Sequence, residues 1–83
     1  MEITKMPDKS QIESEIQTHF QGEGIELERD EDLFSSGQVD SMALMQAVAH
    51  LEATYGLKIP PGDLVPENFR TVEVMADYVI QRR

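Results

Sequence analysis

A serine that follows an aspartate opens a predicted helix in the stretch GQVDSMALM, residues 37–45. A serine at the start of a helix is most often a cap, because its hydroxyl satisfies one of the backbone N–H groups that the first turn leaves unpaired. Asp40 can take that role instead, since its carboxylate accepts such bonds and suits the positive end of the helix dipole. The hydroxyl of Ser41 is then free to point outward. The pattern therefore indicates that Ser41 is a site for chemistry.

Ser41 lacks the sequence partners of a catalytic nucleophile. A serine nucleophile needs a base within hydrogen-bond reach, and the two histidines of the chain are His19 and His50. His50 is expected about half a turn around the helix from Ser41 and roughly 13 Å along it, too far to activate the hydroxyl. His19 is expected at the edge of the core. We predict no catalytic residue in this chain, so that another protein must act on Ser41.

The densest acidic stretch, ERDEDLF at residues 28–34, lacks the pattern of a calcium site. An EF-hand loop needs spaced oxygen ligands around a central glycine and a closing glutamate, and residues 28–41 do not supply that order. We interpret the stretch as a solvated loop and predict no metal site. An alternative function stays open at this point, that of an acidic helical protein-interaction module without a prosthetic group.

Length and charge restrict the possible partners. The 83 residues predict a single domain, residues 1–83, which is too small to enclose a deep substrate cavity and therefore acts at its surface. Sixteen acidic residues against seven basic ones give a net charge of −9. This charge disfavours binding to nucleic acid and to anionic membranes, and it favours partners with basic faces. We expect a monomer.

The chain contains no cysteine, which excludes disulfides and cysteine-based metal sites. Its N-terminal stretch MEITKMPDKS lacks the apolar core of a signal peptide. No apolar run approaches the roughly 20 residues that span a bilayer. We therefore expect a cytoplasmic protein without a membrane segment. Small size and the lack of flanking linkers also predict a free-standing protein.

Helical periodicity predicts an all-α four-helix bundle, with three main helices and one short one. The first helix starts at Asp8 or Ser10, the second runs from about 41 to 55, and the last follows Thr71. A short helical piece with Pro66 in its first turn precedes the last helix. The residues expected in the core repeat at helical spacing: Ile12, Ile16, Phe20, Leu44, Val48, Leu51, Tyr55, Val72, Met75, Ala76 and Val79.

A long connection, residues 23–39, joins the first two predicted helices. It is rich in acidic residues but also contains Ile25, Leu27, Leu33 and Phe34. We expect these four apolar side chains to hold the connection against the core.

The second helix has an apolar stripe that the core does not require. Met42, Met45 and Ala49 are spaced i, i+3 and i+7 beside the core residues. One interpretation is that the methionines widen the core, since methionine is a common gap filler. The other is a partner-docking surface beside the outward hydroxyl of Ser41, which would also include Glu52, the main charge of this helix.

Three stretches of the chain together resemble acyl and peptidyl carrier proteins. These stretches are DLFSSGQVDSM, YGLKIPPGDL and ENFRTVEVMADYV, so the resemblance covers nearly the whole chain. Carrier proteins of this family are small four-helix domains that bear a 4'-phosphopantetheine arm on a serine after an aspartate at the start of the second helix. The resemblance implies that Ser41 is the attachment site, and that Asp40 positions the helix start and presents the serine.

The resemblance also implies the partners. A phosphopantetheinyl transferase holding coenzyme A and Mg²⁺ would load Ser41, and an acyl- or aminoacyl-activating ligase would charge the arm. An acyltransferase or condensing enzyme would then take the group from its thioester. The lack of a catalytic set at Ser41 is expected, because the partners supply the chemistry.

Two departures from the fatty-acid carrier pattern indicate a different cargo. Gln38 and Val39 separate the glycine from the Asp-Ser pair, where the fatty-acid motif has one residue, and this spacing resembles D-alanyl carriers and other free-standing carriers. The second helix also has Ala43, Gln46 and Ala53 where fatty-acid carriers are often acidic. We therefore expect an acyl or aminoacyl carrier of a specialised pathway, in polyketide, nonribosomal peptide or aminoacyl-transfer chemistry.

Overall fold

The computed structural model describes residues 8–82, apart from the side chain of Ser36, and this range is helical without a strand. The elements in chain order are α1 (Lys9–Gln21), α2 (Leu33–Ser36), α3 (Ser41–Tyr55), a 3-10 turn (Pro61–Asp63), α4 (Pro66–Phe69) and α5 (Val72–Arg82). The predicted all-α bundle with three main helices is confirmed. None of the helices in the described range is long and apolar enough to cross a membrane. The expectation of no signal peptide concerns residues 1–7, which lie outside that range.

The ends of the helices follow from side-chain caps and glycines. Asp8, one of the two predicted caps, forms a reciprocal pair with Gln11, in which each side chain accepts from the other's backbone N–H at 2.9 Å. Gly56 ends α3 at φ 66°, a left-handed conformation that costs glycine least. At α5, the Thr71 hydroxyl accepts from the Val74 N–H at 3.1 Å. These caps place the helix boundaries where the sequence predicts them.

The core lies between α1, α5 and the inner face of α3, and α1 packs most extensively on α5. Most residues of the predicted core are buried: Ile12, Ile16, Phe20, Val48, Leu51, Val72, Met75, Ala76 and Val79. Leu44 and Tyr55 are only partly buried against this cluster. For these two residues the prediction of a core position is therefore confirmed only in part. Leu44 is incompletely buried because it also lines an open pocket next to Ser41.

The first connection contains a helical turn that the sequence analysis missed. Asp32 caps this turn, α2, and Gly37 ends it at φ 78°. Leu33 is completely buried, whereas Phe34 is 44% exposed. Consecutive residues of a helix point about 100° apart, so only one of the two can face the core. The prediction that Phe34 holds the connection against the core is wrong, while Leu27 and Leu33 do so.

Arg29 ties the first connection to two helices. Its Nη2 lies 2.7 Å from Glu73 Oε2 on α5, and its Nε lies 3.4 Å from Glu13 Oε1 on α1. The Glu73 N–H also donates to the Arg29 carbonyl at 3.0 Å. Glu13 is a buried carboxylate that helical periodicity alone does not reveal, because its partner lies far along the chain.

Tyr78 holds the second connection, between α3 and α4, against α5. Its hydroxyl donates to Asp63 Oδ2 at 2.6 Å, and the ring is buried. Burial and this hydrogen bond raise the pKa of Tyr78. Arg82 lies over the ring, with its guanidinium carbon 5.7 Å from the centroid, and its Nη1 is 3.7 Å from Asp63 Oδ2.

Candidate functional site at the start of α3

Ser41 is the first residue of α3 and is exposed. The helix is capped by Asp40, whose Oδ1 accepts a hydrogen bond from the Ala43 N–H at 2.8 Å. Asp40 has an extended backbone, φ −97° and ψ −177°, as an N-cap residue requires. The prediction that Asp40 caps the helix in place of Ser41 is confirmed. Ser41 is thereby left at the surface, beside the positive end of the helix dipole.

The loop that leads into Asp40 is held by local hydrogen bonds. Asp32 accepts two backbone N–H bonds of 2.9 and 3.2 Å at the start of α2. Gly37 then turns the chain in its left-handed conformation, and the Gln38 side chain donates to the Glu26 carbonyl at 3.3 Å. These contacts fix the point at which Ser41 emerges from the fold.

An open pocket of about 280 Å³ lies next to Ser41. Its walls are formed by Phe34, Val39, Asp40, Ser41 and Leu44. Phe34 is exposed, and Val39 and Leu44 are half-buried. The first turn of α3 therefore combines a surface hydroxyl, a capping carboxylate and an open depression with both polar and apolar walls.

The apolar stripe of α3 faces the solvent. Met42 is 69% exposed and Met45 is 51% exposed, and Ala49 is exposed as well. The interpretation that these methionines widen the core is therefore wrong. The inner face of the same helix supplies the core residues instead, which include Val48 and Leu51. The stripe is accessible to a partner that approaches Ser41.

Glu52 lies on the same face of α3 as the stripe but has a structural partner. Its Oε2 accepts the Ile59 N–H at 2.9 Å, and the residue is half-buried. This bond holds the chain that follows α3. Glu52 is about 17 Å along the helix from Ser41, so it is at the far end of any surface that starts at the hydroxyl.

The two histidines lie together between α1 and α3. Their rings stack with centroids 4.6 Å apart. His19 Nε2 lies 3.5 Å from Glu23 Oε2, and His50 Nε2 lies 3.6 Å from Glu15 Oε1. Burial and the neighbouring His50 lower the pKa of His19, against an opposing effect of Glu23. His19 is half-buried, which confirms its expected place at the core edge. Neither histidine lines the pocket at Ser41.

Phe34 is the pocket residue that the sequence analysis misassigned. A signal for its position is present in the sequence, since Asp32 and Gly37 bracket four residues in the manner of an N-cap and a C-cap. Such a pair of caps predicts one helical turn, on which the side chains of Leu33 and Phe34 must point in directions about 100° apart.

Comparison with known proteins identifies similar chains. Residues 12–79 match the family described as phosphopantetheine attachment site. D-alanyl carrier proteins of Streptococcus pyogenes serotypes M5 (strain Manfredo), M49 (strain NZ131) and M1 are 35% identical to this chain over 43 residues. The alignment covers 52% of this chain and 54% of each relative, so the chain spans about half the length of the curated relatives it matches.

Proposed function

Because the chain belongs to the phosphopantetheine attachment site family and is a carrier protein with a covalently attached 4'-phosphopantetheine, we propose that Ser41 is the attachment residue. The observation that carries this proposal is the division of roles at the start of α3. Asp40 makes the capping bond to Ala43, and Ser41 is exposed in the first turn. The serine is presented to a partner without loss of the cap that stabilises the helix.

The residues around Ser41 fit a phosphopantetheine group. A phosphodiester on the hydroxyl would lie at a helix N-terminus, where the dipole favours negative charge. The open pocket beside it is lined by Ser41 itself and has apolar walls at Phe34 and Leu44. When bound, the group supplies a terminal thiol that holds an acyl cargo as a thioester.

Loading of Ser41 is proposed to proceed by attack on coenzyme A. The Ser41 Oγ forms a bond to the phosphorus on the pantetheine side of the pyrophosphate, and the bond from that phosphorus to 3',5'-ADP breaks. The hydroxyl proton passes to a base of the phosphopantetheinyl transferase, since no histidine lines the pocket on the carrier. The transferase also supplies Mg²⁺, which stabilises the charge on the phosphates.

The cargo we propose is an aminoacyl group or another acyl unit of a specialised pathway. The aligned relatives are named as D-alanyl carriers, and two residues separate Gly37 from the Asp-Ser pair, as in that type of carrier. An aminoacyl- or acyl-activating ligase would charge the protein, and an acyltransferase or condensing enzyme would receive the group. The specialised pathway that uses the acyl unit could also be polyketide or nonribosomal peptide synthesis, which employ the same type of carrier.

We propose that these partners dock on the exposed stripe of Met42, Met45 and Ala49, with Glu52 at its end. The two methionines are exposed, flexible and apolar, which suits successive binding by different enzymes. The net charge of −9 favours partners with basic faces and steers brief encounters.

Intact mass after incubation with coenzyme A and a promiscuous transferase tests the attachment residue. Wild type is expected to gain one phosphopantetheinyl group, and Ser41→Ala is expected to gain none. Ser35→Ala is the matched control, because Ser35 is also an exposed serine and lies on α2, six residues before Ser41. A gain that survives in Ser41→Ala contradicts the proposal, and no gain in wild type favours the interaction-module alternative. Incubation of the loaded protein with candidate ligases and labelled D-alanine then tests the cargo.

A further inference from the structure

The pocket beside Ser41 has no role in the loading reaction described above. Three of its lining residues are apolar, namely Phe34, Val39 and Leu44, and they come from α2, the approach loop and α3. We propose that this pocket is a resting site for the first apolar segment of the arm on Ser41, the dimethyl-substituted carbon that follows the phosphate by a single methylene. This inference rests on the proposed attachment at Ser41.

The first support is position. Ser41 itself lines the pocket, so a group bonded to its oxygen starts at the pocket rim. Leu44 lies three residues later on α3, and residues at this spacing are neighbours on one face of a helix. The part of the arm nearest to Ser41 is therefore the part that the pocket can reach.

The second support is the exposure of Phe34. A large aromatic side chain on a one-turn helix is 44% exposed here, directly after a completely buried Leu33. Covering exposed apolar area of this kind with another apolar group is favourable, because it removes that area from water. Two geminal methyl groups beside the ring would remove part of this area from water.

The third support is Leu44, which the helical pattern places in the core but the structure leaves half-buried. One side of Leu44 packs against the core cluster and the other lines the pocket. Covering by the arm would complete the burial of a residue that the bundle itself covers in part.

The pocket volume limits what it can hold. About 280 Å³ is at or below the lower end of the range for sites that enclose a small molecule, roughly 300–1,000 Å³. It suits a short branched segment and does not suit a long acyl chain. In this proposal the arm is held near its base, and the cargo at its far end stays outside the fold and open to the partner enzymes.

NMR on the loaded protein tests the proposal directly. Mass spectrometry first establishes that one phosphopantetheinyl group is present, so that failure of loading is recognised as failure of the attachment proposal alone. The loaded wild type is then expected to show shifted methyl resonances for Val39 and Leu44, together with nuclear Overhauser effects between the Phe34 ring and the geminal methyls. The methyls of Val79, which is completely buried on α5 and does not line the pocket, are expected to stay unshifted.

Phe34→Ala removes the aromatic wall of the pocket and tests whether that wall causes the shift. Intact mass establishes how much of the variant is loaded. The loaded fraction is expected to keep its fold, because the side chain is exposed, but to lack the shift of the Leu44 methyls. Ile80→Ala is the control, since Ile80 is 37% exposed on α5 and does not line the pocket. If Phe34→Ala is unstable, Phe34→Leu replaces it, and its smaller contact with the geminal methyls is expected to give a smaller shift of the Leu44 methyls than in wild type. A fully loaded wild type with unshifted Val39 and Leu44 methyls overturns the resting site and leaves the attachment at Ser41 standing.

Discussion

The packed side of the bundle, where α1 meets α5, and the Ser41 edge, around the start of α3, differ in how far their large apolar side chains are buried. Where α1 meets α5, the large side chains are completely or almost completely buried, as with Ile16, Phe20 and Met75. At the edge around Ser41, Phe34 and the two methionines of α3 expose between 44% and 69% of their surface. The large apolar side chains that stabilise the fold therefore lie on a different surface from those that are exposed beside Ser41.

The helix α3 takes part in both regions. Its inner face contributes Ala47, Val48 and Leu51 to the core, and its outer face presents the stripe of Met42, Met45 and Ala49. One helix therefore fixes the position of Ser41 relative to the core and also exposes an apolar stripe beside it. Substitutions on the two faces should have opposite consequences.

The largest effect is expected from truncation on the inner face of α3. Leu51 is 1% exposed, so Leu51→Ala removes buried methyl groups and leaves a cavity, at a cost of about 2–5 kcal/mol in the free energy of unfolding. Leu44→Ala is the matched control seven residues earlier on the same helix, and it should cost clearly less because Leu44 is half-buried. Urea unfolding of both variants measures the two costs. Equal costs would break the distinction between the packed side and the Ser41 edge.

A smaller effect is expected from the contact between Tyr78 and Asp63. Tyr78→Phe removes a buried hydroxyl that donates to a carboxylate at 2.6 Å, and hydrogen bonds to charged groups contribute about 1.5–3 kcal/mol. The packing of the ring on Phe69, with centroids 5.2 Å apart, is retained. A double-mutant cycle with Asp63→Ala, which leaves no side-chain acceptor at position 63, isolates the bond. Strictly additive costs would mean that the contact does not stabilise the packed side.

The sequence predicts the packed side more completely than the Ser41 edge. The core of α1 and α5 follows from periodicity alone, because each helix is long enough for its apolar residues to repeat on one face, as Ile12, Ile16 and Phe20 do. Asp40 as the cap was also predictable, since capping is decided by residues close in sequence. Glu13 was not, because its partner Arg29 lies in the connection and only the fold brings them together.

The Ser41 edge was predicted less completely for a related reason. The one-turn helix α2 is too short to show a period, so Leu33 and Phe34 looked equivalent until their directions were known. The stripe was correctly placed on α3, but the sequence left its exposure open, since apolar spacing alone does not tell a wide core from a docking surface. Exposure is a property of what packs nearby, which for Met42 and Met45 is set by the whole bundle.

A modest effect of pH is expected at the histidine pair, which borders the packed side. The pKa of His19 is lowered from its ordinary value of 6.5 by burial and by His50. Well above pH 6.5, neither the folded nor the unfolded chain holds a second proton on the His19 ring, and the pH has no effect on stability through this residue. As the pH falls below that value, the unfolded chain takes up the proton first and the free energy of unfolding decreases, until the lowered pKa of the folded state is passed.

Thermal melts between about pH 7.5 and pH 5.5 measure this effect. Histidine is the side chain whose ordinary pKa lies in this range. Wild type should lose more stability on acidification than His19→Gln, which cannot take up the proton. His50→Gln should narrow the difference, because one cause of the lowered pKa of His19 is removed. Parallel pH curves for wild type and His19→Gln would contradict the prediction.

The smallest change in stability is expected at the Ser41 edge itself. Met45 is 51% exposed, so Met45→Glu should alter the free energy of unfolding by less than about 0.5 kcal/mol, as substitutions on exposed surfaces usually do. Loading by the transferase, or transfer of the cargo, should nevertheless slow, because the variant places a charge in the apolar stripe. Gln81→Glu is the matched control, since it adds the same charge at an exposed residue of α5, outside the helix that carries the stripe. Thermal melts and loading rates on the two variants separate the outcomes. An unfolded Met45→Glu protein would mean that the stripe is part of the core, and equal rates for Met45→Glu and Gln81→Glu would mean that partners do not bind at this position.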